Sequence, residues 1–247
     1  MKVLGVIPAR YGSTRFPGKP LAMIGGKTMI RRTCEQVLKA SLDAVVVATD
    51  DPRILEEVEG FGQRALMTRA DHPSGTDWCR EALDLMGDGF DAVVNIQGDE
   101  PFIDPARIDQ VADLIRRDDT VIATLAEPVT DPAALDNPNV VKVVFGQDGN
   151  ALYFSRHPLP YVRGTERSRW LDTTAYYRHV GLYAYKAATL RAVTALPPGR
   201  LERAESLEQL RWLENGFPIR VAVTAPGRSI AIDTPQDLLS IPQEALL

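Results

Sequence analysis

Short, almost wholly apolar runs separated by amphipathic stretches constrain this chain more than any other feature. Val3-Leu4-Gly5-Val6-Ile7, Ala44-Val45-Val46-Val47-Ala48, Arg64-Ala65-Leu66-Met67 and Ala92-Val93-Val94-Asn95-Ile96 read as successive strands. Their near-continuous apolar character suits a parallel sheet covered on both faces. Met29, Ile30, Cys34, Val37 and Leu38 make one helical stripe between them, and Ile108, Val111, Ala112 and Ile115 make another. Asp51-Pro52, Asp104-Pro105 and Thr234-Pro235 each put a capping side chain before a proline at the first helical position. Asp237 adds the acidic partner of a capping box. The class is α/β. At 247 residues the chain can bury a substantial core, as one large domain or one domain with a smaller lobe.

The rhythm changes near Asp131-Pro132. Val140–Phe145 and Ala151–Phe154 read as a hairpin around Gln147-Asp148-Gly149-Asn150. Residues 155–175 are polar and irregular, and Val180–Tyr185 resumes as a strand. Residues 131–186 therefore read as a smaller lobe inserted into a sheet domain made of 1–130 and 187–247. Leu201, Ala204, Leu207, Leu210 and Leu213 predict one helix, followed by a strand over Ile219–Val223.

The first strand runs straight into Pro8-Ala9-Arg10-Tyr11-Gly12-Ser13-Thr14-Arg15-Phe16-Pro17-Gly18-Lys19-Pro20. Glycines permit close backbone approach there, and Arg10, Arg15 and Lys19 supply charge and directed donors, so the loop can wrap a polyphosphate. The chain as a whole is acidic, with 28 basic against 33 acidic side chains and a net charge of -5. No general attraction to nucleic acid or an anionic membrane follows, and the basic loop is a local exception. The dinucleotide fingerprint Gly-x-Gly-x-x-Gly is absent after the first strand. Gly26-Lys27-Thr28 looks like the end of a Walker A loop, but Leu21 stands where its first glycine belongs; otherwise Gly25-Gly26-Lys27 is a turn entering a helix.

Asn95-Ile96-Gln97-Gly98-Asp99-Glu100-Pro101 lies at the carboxyl end of a strand, where open parallel sheets place ligands. Asp99 is a candidate Mg2+ ligand, because hard oxygen donors and phosphate oxygens share that ion readily. Asp233, in Ile230-Ala231-Ile232-Asp233-Thr234-Pro235, is a second candidate carboxylate, with local helix entry as its other explanation. Ser74 or Thr76, in His72-Pro73-Ser74-Gly75-Thr76-Asp77, either binds ribose or base or starts the next helix. His179 is a ligand or a hydrogen-bonded structural histidine. The spacing of the three histidines supports no structural zinc site, and no Gly-x-Ser-x-Gly elbow supports hydrolysis. Cys34 and Cys79 fall in helices as buried free thiols, which suits a reducing compartment. With no basic leader and no apolar run long enough to cross a bilayer, a soluble cytoplasmic protein is expected.

Ile7–Pro20, Met67–Thr76, Asn95–Pro101, Ala151–Arg156, His179–Tyr183, Glu205–Arg211 and Asp233–Pro235 resemble the 3-deoxy-manno-octulosonate (Kdo) cytidylyltransferases, the CMP-Kdo synthetases, over essentially the full length. The first segment is shared with cytidylyltransferases for sialic acids; the later ones make the resemblance specific. It implies a Rossmann-like nucleotide-diphospho-sugar transferase fold, with a predominantly parallel central sheet and a smaller dimerisation lobe. It also implies a homodimer that makes CMP-Kdo and pyrophosphate from CTP and Kdo with Mg2+, for lipopolysaccharide biosynthesis. By that resemblance Arg10, Ser13 and Lys19 hold the triphosphate; Arg15 belongs with the nucleotide-binding residues, chiefly as a shaper of the loop. Ser74 and Gly75 lie near the nucleoside, and Asp99 and Asp233 ligate the metal. Gln97, Arg156, His179, Tyr183, Glu208 and Gln209 line the sugar-acid site. Arg10, Lys19, Asp99 and Asp233 are the expected catalytic residues. Asp77-Trp78 stands where members commonly have Glu-Arg, and Thr28 where they have proline. The rival readings are a cytidylyltransferase for another acidic sugar, a glycosyltransferase of similar fold, and an inactive nucleotide-binding regulator.

Overall fold

In the computed structural model, which describes residues 1–12, 16–227, 232 and 234–242, the chain forms two units. One comprises residues 1–112 with those described from 227 onward, and the other residues 113–226. The first unit opens on β1 (Val3–Ala9), with Val3, Leu4, Val6 and Ile7 wholly buried. A small hairpin of β2 (Met23–Ile24) and β3 (Lys27–Thr28) follows. Gly25 and Gly26 close it at φ 53° and 81°, a left-handed geometry that glycine adopts without Cβ strain. Thr28 then caps α1 (Met29–Val37), so Gly25-Gly26-Lys27 is a turn entering a helix. The expected stripe is buried up to Val37, while Leu38, at the C-cap, is exposed.

β4 (Ala44–Thr49), α2 (Pro52–Gly60), β5 (Ala65–Met67), α3 (Gly75–Met86) and β6 (Ala92–Asn95) complete the alternation. The strands pair in the order β6-β1-β4-β5, all parallel, with Leu4 opposite both Ala44 and Val93. α4 (Pro105–Arg116) buries Ile108, Val111, Ala112 and Ile115. Asp51 accepts from Arg53 N and Asp104 from Ala106 N, each at 2.9 Å, so both aspartates are caps. Thr234-Pro235 does start a helix with Asp237 as its capping-box partner, but Pro235–Ser240 is a 3-10 helix.

The second unit contains β7 (Ile122–Pro128), α5 (Pro132–Asp136), β8 (Lys142–Phe145), β9 (Ala151–Ser155), α6 (Trp170–Thr173) and β10 (Tyr177–Lys186). After them come α7 (Ala187–Thr194), α8 (Arg200–Glu205), α9 (Gln209–Glu214) and β11 (Ile219–Val223). β11 pairs parallel with β7, whereas the β7–β10, β10–β8 and β8–β9 pairings are antiparallel. The predicted hairpin is the β8–β9 pair, with Gly149 at φ 78° in its turn. β10 begins three residues before the expected strand.

The single helix predicted through Leu201 to Leu213 is two helices. Ser206 sits between them at φ 52°, and Leu207 N returns to Glu202 O at 3.2 Å. The break has a clear cause: Arg156 donates from Nε to Glu205 O at 2.7 Å and from Nη2 to Ser206 O at 3.2 Å. Cys34 and Cys79 are buried and free, and burial pushes the Cys34 thiol up to about 12. No helix among the described residues is long and apolar enough to cross a membrane.

Candidate active site

The carboxyl ends of β1, β5 and β6 open onto one cavity of about 300 Å3. Pro8, Ala9 and Arg10 leave β1 into it, Gln97, Gly98 and Asp99 follow β6, and Ala70, His72, Pro73, Ser74 and Gly75 connect β5 to α3. Lys19, Pro20, Met29 and Trp78 close the remaining sides. Strand ends converge here because all four strands run the same way, the arrangement in which α/β sheets bind ligands. Gly98 makes the convergence tight: a Cβ there would lie 2.6 Å from Pro8 O.

Lys19 is brought to the cavity by the turn before it. Gly18, at φ 71°, donates its N–H to Tyr11 O at 2.9 Å and lies against the Tyr11 ring. The Arg53 guanidinium covers that ring at 3.4 Å from its centroid, and Tyr11 N donates to Asp50 Oδ1 at 3.2 Å. So held, Lys19 Nζ donates to Asp99 Oδ2 at 2.7 Å. Ile232, wholly buried, donates its N–H to Asp99 O at 3.1 Å, and Thr33 Oγ1 lies 3.2 Å from Gly98 O. The result is a fixed carboxylate beside a fixed ammonium, in a cavity walled on one side by main chain.

Ser74 caps α3: its Oγ accepts from Asp77 N at 3.4 Å and donates to Asp77 Oδ2 at 2.7 Å. It therefore starts the helix and also lines the cavity. Behind it, His72 Nε2 meets Glu81 Oε2, and the same oxygen accepts Arg69 N at 3.0 Å. Burial pushes the Glu81 carboxyl upward, but these bonds and the neighbouring charges bring it below its ordinary value.

Arg10, Lys19, Ser74, Gly75, Gln97 and Asp99 thus share one cavity. Ser13, Arg15 and Asp233 lie outside the described residues. Arg156, His179, Tyr183, Glu208 and Gln209 belong to the second unit. Its register shift between Val180 and Tyr183 leaves the Val180 and Leu182 carbonyls 3.2 and 2.9 Å from Thr124 Oγ1. With the single hydroxyl proton directed to a carbonyl, His179 Nε2, 3.0 Å from Thr124 Oγ1, is the donor of that pair. Burial pushes the His179 pKa down to about 3, so the ring is neutral at physiological pH.

Tyr183 packs 5.1 Å from the His179 ring and 5.3 Å from Trp212. Burial, then the charge of Glu208, drives its phenol well above the ordinary value. The indole Nε1 of Trp212, 1% exposed, has no acceptor among the described residues. Glu208 accepts from Arg211 Nη2 at 2.7 Å, and Gln209 is buried. Besides its bonds to Glu205 O and Ser206 O, Arg156 donates from Nη1 to Pro138 O at 2.9 Å.

Reading the residues singly missed His72 and Trp78 as cavity residues. Both had a signal, since His72 precedes the Pro73-Ser74-Gly75 run and Trp78 lies one helical turn beyond Ser74, on the same face. Among the described residues, no three His, Cys, Asp or Glu side chains gather as a metal cluster.

Residues 4–223 match the family model described as cytidylyltransferase. A 3-deoxy-manno-octulosonate cytidylyltransferase of Bacteroides thetaiotaomicron is 54% identical over 241 residues, covering 96% of each chain. The chain belongs to the 3-deoxy-manno-octulosonate cytidylyltransferase family. A family member from Parabacteroides distasonis is 52% identical, again over 96% of each chain. A solved CMP:2-keto-3-deoxy-manno-octonic acid synthetase complexed with CTP superposes with a TM-score of 0.89 at 42% identity, over 97% of this chain and 96% of its own. The fold is accordingly the Rossmann-like nucleotidyltransferase fold with a largely parallel central sheet, as the strand pattern and the resemblance led one to expect.

Proposed function

We propose that this enzyme transfers CMP from CTP to the anomeric 2-hydroxyl of 3-deoxy-D-manno-octulosonate, giving CMP-Kdo and pyrophosphate for lipopolysaccharide biosynthesis. One observation carries the reading: Lys19 and Asp99 are held 2.7 Å apart in the strand-end cavity, in a chain of this family. The pair lines the cavity with 16% and 30% of its side-chain surface exposed, so an anionic ligand entering there meets both charges. Its members can therefore exchange partners when a triphosphate arrives. Lys19 turns to phosphate oxygen, and Asp99 is released toward a cation.

The residues fit Mg2+. That ion takes one or two carboxylates and completes its shell with water and substrate phosphates, so it needs no three-residue protein cluster. Asp99 is a hard oxygen donor facing the cavity, and Asp233 is the second carboxylate of the proposal. Held there, such an ion would supply charge to polarise the α-phosphate and to lower the pKa of the attacking hydroxyl.

The reaction is a direct displacement. The 2-hydroxyl oxygen bonds to the α-phosphorus as the bond to the pyrophosphate oxygen breaks, with loss of the hydroxyl proton. Arg10 and Lys19 stabilise charge on the transferring and leaving phosphoryl oxygens, where fixed cations lower the barrier most. Ser13 and Arg15 complete the phosphate loop, while Ser74 and Gly75 sit at the nucleoside. Gln97, Arg156, His179, Tyr183, Glu208 and Gln209 receive the sugar acid, with residues 131–186 as the lobe that also joins two copies into a dimer. His179 is no general base in this scheme, because a group with a pKa near 3 takes protons poorly at neutral pH. The enzyme works in the cytoplasm on small-molecule substrates, away from nucleic acid and without membrane insertion.

Pyrophosphate release from CTP with a panel of sugar acids tests the reading. Turnover with Kdo well above that with sialic acid or amino-substituted Kdo is expected. A stronger response to another acid reassigns the substrate, and CTP binding without turnover returns the chain to a regulatory role. Asp99→Asn should lower Mg2+-dependent turnover by roughly tenfold or more. Unchanged rate and metal dependence would remove Asp99 from the metal site.

A further inference from the structure

One wall of the cavity does work that the phosphate and metal residues do not explain. His72 lies on the loop between β5 and α3 and lines the cavity. Glu81, on α3, is absent from the lining, yet its Oε2 meets both His72 Nε2 and the Arg69 main-chain N–H. The His72 side chain is 13% exposed and that of Glu81 23%, so both groups face protein more than water.

We propose that Glu81 is a positioning residue for nucleotide binding, fixing the His72 ring and its loop so that His72 Nδ1 is presented to the nucleoside. The proposal rests on the reading of the cavity as the CTP site. A carboxylate oxygen only accepts, so the proton between Glu81 and His72 belongs to Nε2. With Nε2 turned to Glu81, Nδ1 is the ring nitrogen left to meet a ribose hydroxyl or the base. Fixing the tautomer from behind is how a carboxylate orients imidazole at other sites. The same oxygen anchors Arg69, just after β5, so one side chain sets the ring and the path of the loop that carries it.

The test uses the full chain, with CTP affinity measured by calorimetry in the absence of sugar acid and steady-state pyrophosphate release measured beside it. Glu81→Leu should raise the Kd and KM for CTP about tenfold, with kcat changed less than about threefold and the KM for Kdo unchanged. Glu81→Gln, whose carbonyl oxygen can still accept from both partners, should recover most of the loss. In a His72→Ala background, Glu81→Leu should add less than about twofold, because the two residues act as a unit.

Parental CTP affinity in folded Glu81→Leu overturns the proposal. So does its full effect in the absence of His72, or a parallel loss of kcat, both KM values and Tm that Gln fails to rescue. If Glu81→Leu does not fold, His72→Ala alone decides, and parental CTP affinity there overturns the proposal. A parent that binds no CTP overturns the cytidylyltransferase reading instead, which separates the two failures.

Discussion

The two units handle charge in opposite ways. In the first, Lys19, at the start of a short 3-10 helix, and Asp99, beyond the end of β6, hold each other at the cavity and keep 16% and 30% of their side-chain surface exposed. In the second, Arg156 gives Nε, Nη1 and Nη2 to main-chain carbonyls. Arg178 binds the buried Glu127, and the buried Arg211 binds Glu208. An ion pair that lines a cavity can trade partners with a ligand entering it, while a guanidinium locked on carbonyls can leave only by breaking a turn. Substitution of the first pair should therefore appear as lost turnover at parental stability, and of the carbonyl-bound guanidinium as lost stability whatever it also does to the sugar acid.

The largest expected effect tests the first half of that contrast. Lys19→Ala should lower pyrophosphate release by about 10²- to 10³-fold, the usual cost of removing one positioned charge donor, while the melting temperature stays near that of the parent. Near-parental turnover in a folded variant would break the comparison at its strong end. Arg156→Ala tests the second half. It should lower the unfolding free energy in urea by about 2–3 kcal/mol, since the Pro138, Glu205 and Ser206 carbonyls lose a charged donor. If the variant keeps full stability and loses only affinity for the sugar acid, Arg156 belongs with the exchangeable charges.

The smallest effect sharpens the contrast at His179. With a folded pKa near 3 and an unfolded value near 6.5, the unfolded chain takes up a proton that the native ring refuses. Stability is therefore lost as pH falls below about 6.5, by about 1 kcal/mol between pH 7.5 and 5.5. His179→Asn should flatten that part of the urea-midpoint profile against pH. An unaltered profile would mean that the ring titrates in the folded protein.

Much of the first unit was legible because its signals are local. Apolar runs, Asp–Pro caps and a glycine pair each act within a few residues, and the strands, helix starts and β2–β3 turn lie where those signals put them. Arg10, Lys19 and Asp99 could be picked out because their segments follow strand ends and have few structural reasons to carry such groups. Gly75 and Gln97 follow only from the family resemblance, and the sequence at Ser74 allows helix start or ligand alike. The second unit was less legible because its decisive contacts are remote in sequence. The helix stripe from Leu201 to Leu213 is continuous by period, and only Arg156, 50 residues before Ser206, breaks it. His72 and Glu81 are nine residues apart, a spacing with no helical meaning until the loop has turned back. The 3-10 geometry of Pro235–Ser240 likewise left no mark in its capping residues.

The close approach of Gly98 to Pro8 O bears on how such a site can change over time. A boundary built of peptide groups has no side chain to trim, so drift at Pro8 leaves its contour intact, and any bulkier residue at position 98 drives into it. Redesign of the cavity for a larger nucleotide must proceed from the opposite side, through Met29 or Trp78, where volume is set by atoms a codon change can remove.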